Sequence, residues 1–554
     1  MSGNGAAGGQ GGLARPEVDE RDAERIARER YGIEARAEEL GSNQDRNFLL
    51  TEADGARSVL RVDNPAFGDE AREAQHAAIE AYLAAGVPVA RVLPGLDGAL
   101  TQRWQGFAVR RSEFAEGTPM IESRYLAPVV IEEFGALAAA SVNALAGLAH
   151  PGLERRQMWD MRVAHEHTLR LAPAIADDAL RGRVLGAAEA ARAALAPVAA
   201  ALPVQAIHGD LTDDNVMGCP GDDARLHPRT VLDLGDLGAG WRAAELAVAV
   251  SSLLHHEPER PLRALDAIAA FHRDAPLSEA EARAVWPLVV LRAALLVASG
   301  WRQLEIDGAN DYARERIAGE QAIFDSATLL PLTEMTEQVL ARLGYADAEA
   351  PTGEGGPPHP LLPALTGEIA VLDPGVESPA LEAGKWLSHA AENRLVADAL
   401  AGGAQAAVLP YGRYRLTRTT VDSARAAATW PIDAEIWVRG GGPAEVCAPA
   451  AGRVVDVGAG TEAGTTVLEL AGGWRLVVRG ATPTVAIGAA VAAGDEIGVL
   501  PASEIARPLA VGLRRADAPG TAGQAGRAIL VEPERAPGWR RLTCDPAPLL
   551  GLPS

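Results

Sequence analysis

The sequence predicts an α+β chain with a small β-rich N-terminal lobe, a large helical lobe and then a mostly antiparallel all-β domain. Three observations carry this. Between residues 31 and 62, apolar and polar side chains alternate with the period of a half-buried strand. After Gly117-Thr118-Pro119 the pattern becomes long and helical, to about residue 343. From about residue 430 to 515, short apolar runs alternate with Gly-rich turns.

In chain order, residues 1–17 are Gly/Ala-rich and read as a disordered N-terminus. GIEARAEELGS and NFLLTEADGARSVLRV follow as strands, with Asp54-Gly55 as a turn. A helix over about 68–85 is closed by Gly86, with Pro88 beyond it. Strand-like runs surround 91–93 and 107–110, and helices are expected over 127–149, 155–172, 176–200, 242–256, 261–273, 278–306 and 310–343. One island, QAIHGDLTDDNVMGCP followed by TVLDLGDLGAG, interrupts them as loop, strand and loop. The Pro/Gly-rich PTGEGGPPHPLLPALTG marks a boundary. These readings divide the chain into a first domain over 18–345, a linker over 346–367 and a second domain over 368–545.

Composition narrows the function. The 554-residue chain carries a formal net charge of -23, which repels phosphate backbones and argues against a nucleic-acid partner. Its three cysteines, Cys219, Cys447 and Cys544, are far apart, so neither a disulfide framework nor a cysteine zinc site is expected. The N-terminus lacks a basic segment followed by an apolar one, and no run approaches about 18 apolar residues. No membrane partner and a reducing cytoplasm are therefore the expectation. His255 and His256 end a predicted helix, where imidazoles interact favourably with the C-terminus. A Walker-type glycine loop is absent from the sequence.

The island holds the chemistry-bearing residues. His208-Gly209-Asp210 is followed five positions after the aspartate by Asn215, and Asp233 then ends the apolar run TVLDL, ahead of Gly235-Asp236. Phosphoryl transfer needs a carboxylate to orient the attacking hydroxyl, and an amide oxygen with a second carboxylate to hold Mg2+ against nucleotide phosphates. The Asp-to-Asn spacing equals that of the protein-kinase catalytic loop.

HGDLTDDNV followed by VLDLGD resembles the aminoglycoside phosphotransferase and choline kinase superfamily, and within it the hydroxylysine kinase branch. SNQDRNFLL, VLRVDNP, EAQHAAIEAYLAAGVPVA and MWDMRVA extend the resemblance over roughly residues 20–345. It implies a two-lobed protein-kinase-like fold. It further implies Asp210 as catalytic base, Asn215 and Asp233 as metal ligands, His208 as a shaper of the loop and Asp236 as a support. Ser42, Asn43 and Asn47 would belong to the hairpin over the nucleotide, Arg61 would stand where the family has its phosphate-binding lysine, and Glu73 would pair with it. Trp159 and Asp160 become substrate candidates. The implied co-substrate is ATP or GTP with Mg2+, and the implied acceptor is a hydroxyl on a small amine-bearing compound. The alternative is a scaffold of the same fold without turnover, which the arginine at position 61 favours.

YGRYRL, VCAPAAGRVVDVG and AAGDEIGVL resemble the lysostaphin-type zinc endopeptidase fold. Where that family has its ligands, this chain has Pro431, Glu435, Pro508 and Ala510, and no histidine follows His389. Zinc needs N, O or S ligands, so a degenerate peptidase-like module is expected. The domain order resembles the front of larger fusions that continue into a pyridoxal-phosphate aminotransferase-like domain. An aminotransferase-like or lyase partner is the corresponding expectation.

Overall fold

A computed structural model describes residues 15–41, 45–155, 157–306, 311–347, 358–388, 390–458, 464–520 and 526–553. The chain forms two compact units, Met1–Leu332 and Thr333–Ser554.

The first unit opens with helix α1 (Glu20–Tyr31). A capping box starts it, with Asp19 accepting from the Asp22 N–H, and Gly32 ends it at φ 68. Strands β1 (Ala35–Leu40), β2 (Arg46–Glu52) and β3 (Arg57–Val62) follow, then helix α2 (Asp69–Ala84) and strands β4 (Val92–Leu93), β5 (Gln102–Trp104) and β6 (Phe107–Glu113). The sheet order is β1-β2-β3-β6-β4, with β5 also on β6, and every pairing is antiparallel. Its buried face, including Phe48, Leu50, Leu60, Val62 and Val109, packs with Ile26 and Ala27 of α1.

The helical part comprises α3 (Pro128–Leu145), α4 (Ala164–Leu171), α5 (Asp178–Leu195), α6 (Arg242–Leu253), α7 (Leu265–Asp274), α8 (Glu279–Ile306) and α9 (Asp311–Ala327). The predicted island becomes four short strands: β7 (Val204–Ile207), β8 (Val216–Pro220), β9 (Leu226–Val231) and β10 (Gly238–Trp241). β7 pairs with β10 and β8 with β9, so the two polar motifs sit where short ribbons end against helices. Two expected helices are shorter than their patterns. The 155–172 pattern gives only α4, because 157–163 turns beside Trp159 and Asp160. The 310–343 pattern breaks ahead of Pro331, which has no N–H to continue a helix.

Contrary to the sequence expectation, two helices, Pro128–Leu145 and Glu279–Glu305, are long and apolar enough by length and composition to cross a membrane. Half of the first window and 83% of the second are buried inside the fold. That apolarity supplies core: Trp286 of α8 is fully buried, and its indole N–H donates to the Ala327 carbonyl at 3.1 Å. α3 and α7 approach so closely that a Cβ on Gly135 would lie 2.0 Å from the Ala267 carbonyl oxygen.

The second unit differs from its expectation in three ways. It begins with the helix Leu332–Arg342, not after residue 345. This helix is tied to residues 535–541: Glu334 to Arg535 at 2.6 Å, Glu337 to Arg541 at 2.7 Å, and Gln338 accepting from the Gly538 N–H at 3.0 Å. Part of the expected linker is core, since Leu361 and Leu362 are buried with Val446, Val454 and Leu468, while 348–357 lie outside the described residues. The module is mostly antiparallel, as expected, but it is not all-β. In its nine-stranded sheet Ile369–Val371 pairs in parallel with Ala406–Leu409, and the helix Ala391–Ala401 precedes the latter strand.

At the positions matched to peptidase ligands, Glu435 faces Ala510 in register and Pro508 faces Trp437. The Glu435 carboxylate is buried and bound by Arg415 at 3.0 Å and Arg527 at 3.1 Å. Pro431 pairs with Leu530. Fully buried Asp433 accepts from Arg479, from Arg514 at 2.7 Å and from the Ile529 N–H at 2.8 Å. Burial would raise the Asp433 pKa, but the Arg514 and Arg479 guanidiniums outweigh it and hold the group below the ordinary aspartate range.

Gly135→Ala destabilises the full chain by about 1–3 kcal/mol through overpacking, whereas Gly182→Ala, on an open helix surface, is neutral or stabilising by up to ~1 kcal/mol. Urea unfolding of both variants checks this, and equal effects would refute the close crossing. Asp433→Asn strands two buried guanidiniums and costs about 3–5 kcal/mol at neutral pH. The Asp433 contribution is present above the ordinary aspartate range and is lost as pH falls through the depressed value. Urea titrations down the acid range should therefore find wild type and variant converging, and a gap that stays constant would sink the assignment.

Candidate active site

The loop between β7 and β8 is held from both sides. Gly209 adopts φ 82, and a Cβ there would lie 2.6 Å from the Asp236 carbonyl oxygen, so glycine is required. Its N–H donates to the fully buried Glu245 of α6 at 2.9 Å. The other Glu245 oxygen accepts from Ser141 of α3 at 2.7 Å, and Ser141 is 2.8 Å from the Tyr82 hydroxyl of α2. On the opposite side His208, fully buried, donates from Nε2 to the Leu232 carbonyl at 2.8 Å, and its Nδ1 accepts from the Asp210 N–H at 3.3 Å. His208 thus couples the loop to the strand end that carries Asp233.

Asp210 is fixed at both oxygens. Oδ1 takes a 2.5 Å bond from Arg292 of α8, and Oδ2 accepts from the Asn215 amide at 3.0 Å. The same amide donates to the Asp210 carbonyl at 2.9 Å, which leaves the Asn215 oxygen over as its ligand-type atom. Arg292 is 3% exposed and lies over the Trp159 ring, 4.2 Å from its centroid. Among the described residues, its Nε and Nη1 meet no partner.

Asp233 sits at φ 42, a left-handed conformation that aspartate tolerates better than most residues, and it accepts from the Gly235 N–H at 2.9 Å. Arg61 of β3 reaches it at 2.8 Å. That guanidinium is shared with Asp45, which it contacts through Nε at 2.8 Å and through Nη2, and with Asp63 at 3.4 Å. Burial works against the Arg61 charge, but Asp233, Asp45 and Asp63 raise its pKa above the ordinary arginine value. In return, desolvation by the surrounding loop would raise Asp233, whose side chain is still 46% exposed, and Arg61 overrides this to hold it at about 2. Asp236 moves the other way: burial, then the Asp210 and Asp233 carboxylates, push it up to about 7.

The expected Arg61–Glu73 pair does not form. Glu73 is 67% exposed on α2 and faces His150 at 4.0 Å, while Arg61 is already surrounded by nearer carboxylates. Ser42 and Asn43 lie outside the described residues, and Asn47 stands opposite Arg61 in the β2–β3 register. Trp159, Asp160, Arg155, Gln157, Gly209 and Asp236 line a partly open recess. Asp160 is not a free carboxylate there, since Arg162 binds it in bidentate fashion at 2.8 Å. Sequence reading missed Arg292 and Glu245. Each is a single charge in an apolar helix pattern, and a charge forced into such a face needs a partner.

Asn215, Asp233 and Asp236 offer only oxygen donors, the chemistry of a hard divalent cation such as Mg2+. The loop therefore combines a doubly anchored carboxylate with a potential cation site, beside a partly open recess.

Residues 36–282 match the model of the phosphotransferase enzyme family. Hydroxylysine kinase from Danio rerio is 23% identical over 293 residues, covering 50% of this chain and 82% of the relative. Among solved structures, amicoumacin kinase hAmiN in complex with AMP-PNP, Ca2+ and Ami has 14% identity and a TM-score of 0.45, covering 57% of this chain and 97% of that one. A microcompartment-associated aminopropanol kinase has 18% identity and a TM-score of 0.45, covering 59% and 99%. From the family match and the curated relative, the chain is a phosphotransferase of the type that acts on hydroxyl groups.

Glu245→Ala leaves the Gly209 N–H and the Ser141 hydroxyl without their acceptor, at a cost of about 1–3 kcal/mol for each. Hydrogen exchange should then accelerate in the 208–215 segment. Exchange there at the wild-type rate would remove Glu245 as its anchor.

Proposed function

We propose that this phosphotransferase moves the γ-phosphoryl group of ATP or GTP to a hydroxyl of a small amine-bearing compound, an amino alcohol of the hydroxylysine kind. The observation that carries the reading is Asp210, bonded at one oxygen by Arg292 and at the other by Asn215, beside the lined recess. The hydroxyl oxygen attacks the γ-phosphorus, the bond to the β–γ bridging oxygen breaks, and the hydroxyl proton passes to the Asp210 carboxylate. Arg292 and Asn215 keep that carboxylate from rotating away from the acceptor. A bound Mg2+ supplies charge neutralisation on the phosphate oxygens, and Asn215, Asp233 and Asp236 are the residues that would hold it. Arg61, pre-oriented by Asp45, supplies phosphate contacts as a fixed fork. The hydroxylysine kinase relative supports an amine on the acceptor. The cysteines are all free thiols, which suits a reducing cytoplasm.

A second reading, a scaffold without turnover that serves an aminotransferase-like or lyase partner, is favoured by one contact: Arg61 occupies Asp233 Oδ1. The second unit, with Glu435 and Asp433 consumed by arginines, is in either reading a degenerate module for packing or partner contact.

Phosphate transfer by the purified full chain, with Mg2+ and ATP or GTP against a panel of hydroxylated amines, separates the readings by mass gain on the acceptor. A phosphorylated product is expected, and Asp210→Ala should reduce its formation roughly 10²–10⁴-fold. No product over a broad panel, with nucleotide still bound, selects the scaffold.

A further inference from the structure

Outside the proposed reaction centre, one cluster has no part in phosphoryl transfer. α6 ends in a short turn, Leu254–His256, that carries two adjacent histidines. Instead of merely decorating a helix end, both reach the same atom. His255 Nε2 is 2.7 Å and His256 Nε2 2.8 Å from Asp213 Oδ2. Their ring centroids are 4.0 Å apart, tilted by 32°. Among the described residues, Asp213, His255 and His256 form a three-residue group whose ligand atoms all lie within 4.8 Å of one another.

The carboxylate does not need the histidines to hold its backbone. The Asp213 N–H donates to Ser252 Oγ at 3.2 Å, and its carbonyl accepts from the Ile121 N–H at 3.0 Å. Two imidazoles converging on one carboxylate oxygen must both carry a proton on Nε2 to bond it. Exchanging those protons for one divalent ion satisfies all three groups at once. Imidazole nitrogen with carboxylate oxygen is a donor set for zinc, at about 2.0–2.2 Å per ligand, whereas Mg2+ takes oxygen. The Asp213 and His256 side chains are 4% and 3% exposed, and the His255 side chain 22%, so solvent reaches the cluster along His255 and a water can complete four-coordination.

We propose that Asp213, His255 and His256 form a binding site for a divalent transition metal, best suited to Zn2+, which staples the end of α6 to the catalytic loop. It is distinct in donor chemistry from the all-oxygen set at Asn215, Asp233 and Asp236. It does not depend on the identity of the acceptor or on turnover.

The test uses the full chain, stripped of metal by chelation and held in excess Mg2+ to occupy oxygen-only sites. Co2+ is added as a spectroscopic probe, then displaced with Zn2+. Wild type should bind one equivalent with the visible absorption of a low-coordinate, nitrogen-bound cobalt ion, and its thermal midpoint should rise with either metal. His255→Gln and His256→Gln should each weaken binding at least tenfold and lose the thermal rise, while Asp233→Asn keeps both. His255→Gln, at the more exposed position, preserves the test if the buried His256 variant misfolds, with circular dichroism as the check on folding. Cobalt bound equally by wild type and His255→Gln, binding abolished by Asp233→Asn, or no bound cobalt in wild type would each overturn the site.

Discussion

One buried carboxylate sets the geometry on which the proposed chemistry rests. Glu245 has no solvent contact, and it spends its two oxygens on the Gly209 N–H and the Ser141 hydroxyl. A charge in that position is tolerable only while both bonds are made. The 208–215 loop is therefore registered against α3 and α6, and through Ser141 and Tyr82 against α2. His208 extends the same constraint to the strand end at Leu232, next to Asp233. The position of Asp210 is a result of helix packing rather than of loop stiffness. Small groups at close crossings, Gly135 against α7 and Gly209 against the Asp236 backbone, keep the helices and loop in that register.

Around this frame the protein balances like charges with arginines drawn from distant segments. Asp45, Asp63 and Asp233 share Arg61, and Asp210 takes Arg292. Among the described residues Asp236 forms no ion pair, and burial, then crowding with Asp210 and Asp233, pushes its pKa up to about 7. The second unit uses the same device without an apparent reaction: Asp433 and Glu435 are filled by Arg479, Arg514, Arg415 and Arg527. The difference lies in access. The first cluster borders a recess, and the second is closed over.

Local spacing made the centre of the site legible. Asp210, Asn215 and Asp233 were readable because a short loop and a strand end bring them together with no long-range information. Arg292 and Glu245 were not, since their contacts span 82 and 36 residues. Glu73 was misread for a related reason. The helix pattern locates α2 but not Asp45, Asp63 and Asp233, which reach Arg61 first. The domain boundary failed similarly. A Pro/Gly-rich stretch marks irregular backbone, yet the helix Leu332–Arg342 belongs with residues 535–541 through contacts about 200 positions apart. The alternating runs of the N-terminal sheet were legible because burial on one face imposes period two.

Lys385, in the second unit, is the only lysine in the chain. Arg61 therefore stands at a position where the resembled family offers a primary amine, and it is locked among three acids that raise its pKa. Such a guanidinium has no lone pair to give at any physiological pH. Acyl-phosphate and other amine-directed nucleotide reagents, which tag kinases by acylating that amine, would find no nucleophile at position 61. A survey of nucleotide-binding proteins built on such reagents would pass over this one even with nucleotide in its proposed site.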